Sequence, residues 1–266
     1  MTLQVLISTL GADGIQRVGR MRLPLLTGIS YLVSWQESEG LEVPLSLSSR
    51  ADVTVFRLDG VGLSRNRNNC LDHWTADIAL IADDDLDYCP EGLLSVVEMF
   101  ERCHDLDIAT FRHIGSDNKT YPPESCSLVP MPKGYYYTSV EIALRRNSGT
   151  LGLRFDTDFG LGSDKYLSGE EDVFMLQAEK AGLNIRFFPI DIAVHYGLST
   201  GSRRASRPGE MAAWGAVVAR RYPVSWVLRV PLKVYREWHL RRSPFFKGLF
   251  YATSGAIMSL FSGRSR

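Results

Sequence analysis

The feature that most constrains this fold is a short apolar run that ends in three aspartates. Residues 78–82 (IALIA) contain no charged residue, which is typical of a parallel strand that is covered on both faces. Asp83, Asp84 and Asp85 follow the run directly. Because open α/β sheets bind their ligands at the carboxyl ends of the strands, the triplet is predicted to lie at a binding site.

Strands and helices alternate on both sides of this run. Ser64 is predicted to cap one helix, Pro90 to lie in the first turn of another, and Gly182 to end a third. The alternation predicts a doubly wound, mostly parallel α/β sheet flanked by helices. The predicted strands are 3–8, 30–35, 53–58, 78–82, 185–188 and the segment up to residue 195, and the helices are 64–74, 90–103 and 171–181.

The aspartate triplet favours a metal site over a solvated acidic turn. Three adjacent carboxylates repel one another unless a cation compensates them, and a hard divalent ion also binds diphosphate oxygens. Strand alternation places Asp83 and Asp85 on one side and Asp84 on the other, so the first and third form a D-x-D pair. The alternative is an acidic turn that interacts favourably with the start of the next helix.

A second acidic cluster precedes the 171–181 helix. Ser168 and Glu171 have the spacing of a capping box, which explains Glu171 but leaves Asp172 without a structural role. A carboxylate at a helix N-terminus stays ionised, so Asp172 is a candidate general base. His195 follows a strand, and beside an acidic site it is a candidate third metal ligand or diphosphate contact.

These motifs together resemble family 2 glycosyltransferases of the GT-A fold, over roughly residues 3–200. The resemblance is carried by four segments in order: 62–68 (GLSRNRN), 81–85 (IADDD), 169–174 (GEEDVF), and 181–189 (AGLNIRFFP) followed by Val194-His195. It implies a Rossmann-like sheet, a nucleotide-sugar donor, a Mn²⁺ or Mg²⁺ cofactor and transfer of a sugar with inversion. The implied division is a GT-A domain over 1–200, with nucleotide-sugar binding at about 1–110 and acceptor binding and catalysis at about 111–200.

The resemblance also implies roles for individual residues. Asp83 and Asp85 would be the D-x-D pair, with Asp85 on the metal and Asp83 nearer the ribose or metal. Asp172 would be the base, with Glu171 as the second candidate, and His195 would complete the metal and diphosphate site. Further donor contacts are expected from the triplet, from an Arg-Asn pair and from two strand ends, namely Asp84, Arg67, Asn68, Thr9 and Gln36.

Two strand ends depart from the family pattern. The first strand ends in Ser8-Thr9-Leu10, where the family usually has Pro-Thr-Tyr-Asn. The second ends in Gln36 instead of an Asp that reads the base, although an amide can still donate to and accept from uracil. The identity of the donor base is therefore the least constrained part of the prediction.

The last 64 residues differ in charge from the body of the chain. From Arg203 onward there are thirteen Lys or Arg residues and two acids, while the whole chain has a net charge of zero. The region 201–266 is predicted to be a basic, aromatic-rich extension with two amphipathic helices, and Arg203 and Arg204 are hypothesised to fold over the donor diphosphate. Its basic and aromatic residues favour an anionic lipid surface, with packing on the body or self-association as alternatives.

The overall expectation is a cytoplasmic glycosyltransferase, with binding at the inner face of the membrane as a further hypothesis. It would transfer a hexose or N-acetylhexosamine, most simply from a UDP-sugar, to a glycan or lipid-linked acceptor in bacterial surface polysaccharide synthesis. The N-terminus lacks the basic region of a signal peptide, and no nucleic-acid motif is present. Two alternatives are a nucleotidyltransferase that makes nucleotide sugars and a non-catalytic glycan-binding or scaffold protein.

Overall fold

The computed structural model describes residues 1–115, 119–195, 208–240 and 244–262. Within these ranges nine strands form one sheet. The strands are β1 (Leu3–Leu10), β2 (Ile29–Gln36), β3 (Val53–Leu58), β4 (Ile78–Asp83), β5 (Leu86–Tyr88), β6 (Ile108–Gly115), β7 (Cys126–Ser127), β8 (Ile142–Arg145) and β9 (Ile185–His195). Their order is β3-β2-β1-β4-β8-β6-β9-β5, and β7 pairs with β9.

The first half of the sheet is parallel, as the apolar runs predict. β1 pairs with β2 and β4, and β2 pairs with β3, all in parallel. Strand alternation divides β1 between the two faces: Leu3, Val5 and Ile7 pack in one apolar core, and Leu6 packs in another on the opposite face. Burial of both faces explains why β4 reads as an unbroken apolar run up to Asp83.

The second half of the sheet is mixed, which differs from the mostly parallel prediction. β8 is antiparallel to both β4 and β6, and β5 and β7 are antiparallel to β9. A parallel return needs a long crossover, usually a helix. The described residues between β6 and β8 instead contain four prolines, the short strand β7 and a 3₁₀ turn (Ser139–Glu141), so β8 enters the sheet in the opposite direction.

The described residues contain eight α-helices. They are α1 (Gly11–Val18), α2 (Leu45–Ser48), α3 (Leu63–His73), α4 (Pro90–Arg102), α5 (Glu170–Lys180), α6 (Pro208–Arg221), α7 (Trp226–His239) and α8 (Phe245–Ser262). Pro90 begins α4, and Gly182 follows α5 with a φ of 73°, as predicted.

Two predicted helix caps are wrong. The residue that caps α3 is Gly62, and the Ser64 hydroxyl donates instead to the Phe159 carbonyl at 2.6 Å. The residue before α5 is Gly169, in a left-handed conformation with a φ of 86°, so Ser168 and Glu171 form no capping box. Ser168 donates to Glu210 of α6, so both serines contact residues that are distant in sequence, which the local spacing does not reveal.

The C-terminal extension contains three helices in its described part, rather than the two predicted. α6 crosses α8 so closely that a Cβ on Gly215 would lie 1.9 Å from the Ala252 carbonyl oxygen. The extension also contacts the rest of the chain, because the Tyr166 hydroxyl donates to the Gly255 carbonyl and Arg221 pairs with Glu179. None of the described helices is both long and apolar enough to cross a bilayer.

Candidate active site

A cavity of about 630 Å³ opens at the carboxyl ends of the central strands. Its wall contains the aspartate triplet and residues from α1, α3, the 3₁₀ turn, the 161–168 loop and the start of α5. Of the predicted site residues, those that line it are Thr9, Gln36, Arg67, Asp83, Asp84, Asp85, Glu171 and His195. Residues brought together from across the sequence therefore form one site where α/β sheets bind ligands.

The strand order spreads these side chains along the cavity. Gln36 is at the end of β2, Thr9 lies in β1, and Asp83 is at the end of β4. His113 and His195 lie on β6 and β9, on the other side of the aspartates. The cavity thus has a β2 side, an acidic centre and a histidine side.

Each aspartate of the triplet has a different environment. Asp84 accepts hydrogen bonds from Thr9 Oγ1 at 2.6 Å and from Arg17 Nη2 at 2.9 Å. Burial raises the pKa of Asp84 despite these partners. Asp85 Oδ2 lies 3.1 Å from His195 Nε2; burial alone would raise the pKa of Asp85, but His195 and Arg17 lower it below its ordinary value. Asp85 is therefore ionised at neutral pH.

Arg67 joins the aspartate triplet to the start of α5. Its side chain is only 2% exposed, and it donates to Asp83 at 2.8 Å, to Glu170 at 3.0 Å and to Ser139 at 2.8 Å. Burial alone would lower the pKa of Arg67, but the negative charges of Asp83 and Glu170 raise it. A buried cation thus holds two acidic segments that are 87 residues apart in sequence (Asp83 and Glu170).

The three acidic residues in the first turn of α5 have different surroundings. Glu170 pairs with Arg67, and Glu171 lines the cavity beside it. Burial, followed by the nearby charge of Glu170, raises the pKa of Glu171 well above its ordinary value. Asp172 is outside the cavity lining, and burial raises its pKa to about 6, while Arg221 and Lys233 of the extension act to lower it.

Most of the buried polar atoms that lack a hydrogen-bond partner are found in this cavity. Eight such side-chain atoms occur among the described residues, and six belong to residues that line it. Buried polar groups are normally satisfied, so this concentration indicates a site built to bind a polar ligand. The six atoms are Ser8 Oγ, Gln36 Nε2, Asn66 Oδ1, Arg67 Nε, Asp85 Oδ1 and Glu171 Oε2.

Comparison with known proteins identifies the class of this site. Residues 44–160 match the model of a family described as "Glycosyl transferase family 2". This match and the shared fold described below support a family 2 glycosyltransferase. The matched residues include Arg67 and the aspartate triplet, whereas Glu171 and His195 lie beyond them. This result favours the glycosyltransferase over the nucleotidyltransferase and scaffold alternatives.

Solved structures share the fold of this glycosyltransferase. The crystal structure of S. aureus TarS 1-349 superposes with a TM-score of 0.62 at 13% identity, covering 96% of this chain and 91% of that chain. The same protein in complex with UDP-GlcNAc gives a TM-score of 0.61, also at 13% identity and over 96% and 91% of the two chains. No curated protein sequence matches this chain significantly. The GT-A type fold is therefore confirmed.

The cavity fits a divalent cation that is held jointly with a ligand. No group of three His, Cys, Asp or Glu residues in the described part of the chain could hold a metal ion. Asp85 nevertheless offers Oδ1, a buried oxygen without a hydrogen-bond partner, and Oδ2 beside His195. Magnesium typically takes one or two carboxylates together with substrate phosphates. Asp85 and His195 would thus hold the ion, with diphosphate oxygens as further ligands.

Two groups of predicted donor contacts are not placed in the cavity. The Asn68 side chain is held by the backbone of Phe155, to which it donates at 2.8 Å and from which it accepts at 2.8 Å. The asparagine that lines the cavity is Asn66, two residues earlier on α3. Arg203 and Arg204 lie outside the described residues.

Several residues of the site were not predicted. Arg17, Asn66, Ser139, Glu170 and His113 all line the cavity. Glu170 belongs to the 169–174 segment that resembles the family, and Arg17 lies shortly after the first strand. The local sequence therefore gives a weak indication of each residue. Ser139 and His113 had none, because their position depends on how β6 and β8 enter the sheet.

Loss of the Arg67 charge is expected to destabilise the glycosyltransferase strongly. Arg67→Met leaves Asp83 and Glu170 without their buried cation, and breaking a buried ion pair costs about 3–5 kcal/mol. The control is Arg65→Met, which removes an exposed arginine from the same helix. Urea denaturation followed by circular dichroism should show the large loss for Arg67→Met only. Similar free energies of unfolding for the two variants would contradict the bridging role of Arg67.

Proposed function

We propose that this glycosyltransferase moves a sugar with inversion from a UDP-sugar to a glycan or lipid-linked glycan in bacterial surface polysaccharide synthesis. The observation that carries the proposal is the set of unpartnered buried polar atoms around the acidic strand end. TarS, which shares the fold, was solved with UDP-GlcNAc and with UDP. The hexosyl or N-acetylhexosaminyl identity of the sugar is part of the same proposal.

The donor is proposed to lie along the carboxyl edge of the sheet. Gln36 has a buried amide nitrogen without a partner on the β2 side, which suits recognition of the uracil. Thr9 lies between this residue and the aspartates, where the ribose would follow. The diphosphate would lie at Asp83 and Asp85, where a bound Mn²⁺ or Mg²⁺ would neutralise the charge that develops on the leaving group.

Glu171 is proposed as the general base in place of Asp172. Glu171 lines the cavity and has a carboxylate oxygen without a partner, whereas Asp172 lies outside the lining. Glu171 takes the proton of the acceptor hydroxyl as that oxygen bonds to the anomeric carbon. The bond from the anomeric carbon to the diphosphate oxygen breaks on the opposite face, and UDP leaves with the electron pair. A raised carboxyl pKa brings the base closer to the operating pH.

The donor proposal predicts metal-dependent nucleotide binding. UDP should bind in the presence of Mn²⁺, and Asp85→Asn should weaken that binding at least about tenfold because one metal ligand loses its charge. Asp59→Asn, which changes an exposed carboxylate outside the cavity lining, is the matched control. Calorimetric titrations with UDP, GDP and CDP would test this. If none of the three nucleotides binds with any divalent metal, the proposed function is wrong.

The choice of base predicts opposite results for two adjacent substitutions. Glu171→Gln should lower turnover about 100-fold or more, because general base catalysis typically contributes 10²–10⁴-fold. Asp172→Asn should leave turnover within a few fold of the wild type. Release of UDP from UDP-GlcNAc, measured with Mn²⁺, distinguishes the variants. The reverse pattern would restore Asp172 as the base.

The raised pKa of Glu171 also predicts how the effect of its substitution on protein stability depends on pH. When the folded pKa exceeds the unfolded one, the folded protein loses stability as the pH rises from the unfolded pKa through the folded pKa. Glu171→Gln should therefore be more stable than the wild type at pH 8, and this gain should disappear towards pH 4. Thermal denaturation over this range serves as the folding control for the variant.

The extension is proposed to bind an anionic membrane surface. Large hydrophobic residues with exposed side chains number 25 in the described part of the chain, and thirteen of them lie between residues 222 and 261. Contiguous exposed apolar surface usually marks an interaction site. Helices α7 and α8 of this region also carry basic residues, namely Arg229, Lys233, Arg236 and Lys247, and one acidic residue, Glu237.

The charge and the aromatic residues together favour a bilayer as the occupant of this surface. Phe246 is 83% exposed and Phe250 is 66% exposed, and Lys247 lies between them in sequence. Amphipathic helices with basic and aromatic residues lie in the headgroup region of anionic membranes. Because α8 is bonded to Tyr166 near the cavity, such binding would hold the active site near a lipid-linked acceptor at the cytoplasmic face.

Two features of this proposal rest on residues outside the described part. Arg203 and Arg204 remain proposed contacts of the diphosphate. The boundary between the GT-A domain and the extension, placed at residues 200 and 201, also falls there.

Removing the exposed phenylalanines is expected to reduce membrane binding. Phe246→Ser with Phe250→Ser should lower sedimentation with anionic vesicles at least about tenfold, because both rings would enter the interface. The matched control is Leu25→Ser with Leu45→Ser, two residues that are each 79% exposed on the body. Wild-type binding should weaken with added salt and on neutral vesicles. Equal sedimentation of both double variants and the wild type would exclude the membrane role.

A further inference from the structure

Two buried amide side chains meet the cavity where α3 packs on β1 and β2. Gln36 ends β2 and lies on the same strand face as Leu32, because side chains alternate along a strand. Asn66 lies in the first half of α3, and its side chain reaches the carbonyl of Thr9 in β1. Thr9 pairs in register with Trp35, the residue before Gln36. The fold thus brings Gln36 and Asn66 to one end of the cavity.

Both amides are almost completely buried, and each has a polar atom without a hydrogen-bond partner. Gln36 and Asn66 are each 2% exposed, and the unpartnered atoms are Gln36 Nε2 and Asn66 Oδ1. One turn further along α3, Asn69 has no such deficit on its amide nitrogen, which donates to Ser34 Oγ at 2.7 Å. Since buried polar groups are normally satisfied, the two unpaired atoms that line the cavity indicate contacts made by a ligand.

The orientation of the Asn66 amide is fixed before a ligand arrives. Its Nδ2 donates to the Thr9 carbonyl at 2.8 Å, so the nitrogen is committed to the backbone of β1. Turning the amide over would set its oxygen against that carbonyl oxygen, which places two acceptors together. The oxygen of an asparagine accepts hydrogen bonds and cannot donate them. At this point of the cavity wall, Asn66 therefore requires a ligand that donates.

Gln36 requires the complementary group. Its unpartnered atom is the amide nitrogen, which donates. A ligand that satisfies both side chains must present a donor towards Asn66 and an acceptor towards Gln36. In the proposed function the nucleoside lies at Gln36, so the edge of its base is the group that meets these two atoms. This step rests on the proposed function.

The two pyrimidine bases differ at the position that matters. Uracil carries a proton on N3, and a carbonyl oxygen stands on each side of it. Cytosine has a lone pair at N3 instead, so it would face Asn66 Oδ1 as one acceptor against another. Because bases are distinguished by such donor and acceptor patterns, a fixed acceptor opposite N3 favours uracil.

We propose that Asn66 Oδ1 accepts a hydrogen bond from N3 of the uracil and thereby selects uracil over cytosine nucleotides. Gln36 Nε2 donates to a carbonyl oxygen of the same base. The anchor on Thr9 makes Asn66 the specificity-determining residue of the pair, because a mismatch cannot be relieved by rotating its amide. Asn66 directly precedes Arg67, so one turn of α3 supplies both the reader of the base and the cation that joins the acidic segments.

Calorimetry with UDP, CDP and N3-methyl-UDP, each with Mn²⁺, would test this role. The wild type should bind UDP at least about tenfold more tightly than either of the others, which is the scale of one hydrogen bond. In Asn66→Ala the affinity for UDP should fall about tenfold, because N3 loses its acceptor. The affinities for CDP and N3-methyl-UDP should change by no more than about twofold, so the three nucleotides should bind about equally.

Asn69→Ala is the matched control. It removes an amide from the same helix, but this amide bonds to Ser34 and Asn69 is outside the cavity lining. The variant should keep the wild-type ratio of UDP to CDP affinity. If Asn66→Ala does not fold, which circular dichroism would reveal, the comparison of UDP with N3-methyl-UDP on the wild type decides the inference by itself.

The outcomes separate this inference from the proposed function. Equal affinity of the wild type for UDP and N3-methyl-UDP, or for UDP and CDP, would overturn the role of Asn66. An unchanged ratio of UDP to CDP affinity in Asn66→Ala would overturn it as well. A wild type that binds UDP in each of these cases still supports a nucleotide-sugar donor. Failure of the wild type to bind any nucleotide would instead overturn the proposed function, and the inference with it.

Discussion

The interaction on which the site depends is the buried contact of Arg67 with Asp83 and Glu170. Without a cation between them, the strand end and the start of α5 would bring two acidic segments together in a partly dehydrated cavity, where like charges repel strongly. Arg67 can take this position because α3 packs against β1 and β2. The carboxylates that remain for chemistry are then Asp85, which is paired with His195, and Glu171. One guanidinium group thus divides the acidic residues into structural and reactive ones.

The sheet divides the functions of the site in space. Its parallel half provides the ends of β1, β2 and β4, where Thr9, Gln36 and the aspartate triplet lie. The mixed half provides His113 and His195, and the 3₁₀ turn before β8 supplies Ser139 and Glu141. In the proposed function the parallel half binds the nucleotide.

The C-terminal extension is structurally continuous with the site. α6 and α8 pack through glycines whose missing side chains allow very close contact, and Asp156 and Tyr166 are bonded to the extension through Arg220 and Gly255. The charges of Arg221 and Lys233 also reach Asp172, next to the proposed base. The helices that carry the exposed surface are thus joined by packing, a hydrogen bond and an ion pair to the loop that precedes α5. This link gives the extension a physical route by which membrane binding would orient the cavity.

The amino-acid sequence alone predicted the parallel strands, the acidic strand end, the start and end of α4 and α5 to within a residue or two, and the resemblance to family 2 glycosyltransferases. These features are local: apolar runs, Pro90, Gly182 and the aspartate triplet carry their own signals. Tertiary contacts were needed to show that Ser64 bonds to a distant loop and Ser168 to α6, that Glu171 and not Asp172 lines the cavity, and that Asn66 lines it in place of Asn68. The tertiary structure also decided the place of His113 and Glu141. A side chain one residue along a helix points about 100° away, so spacing identifies an acidic cluster without identifying which member faces the ligand.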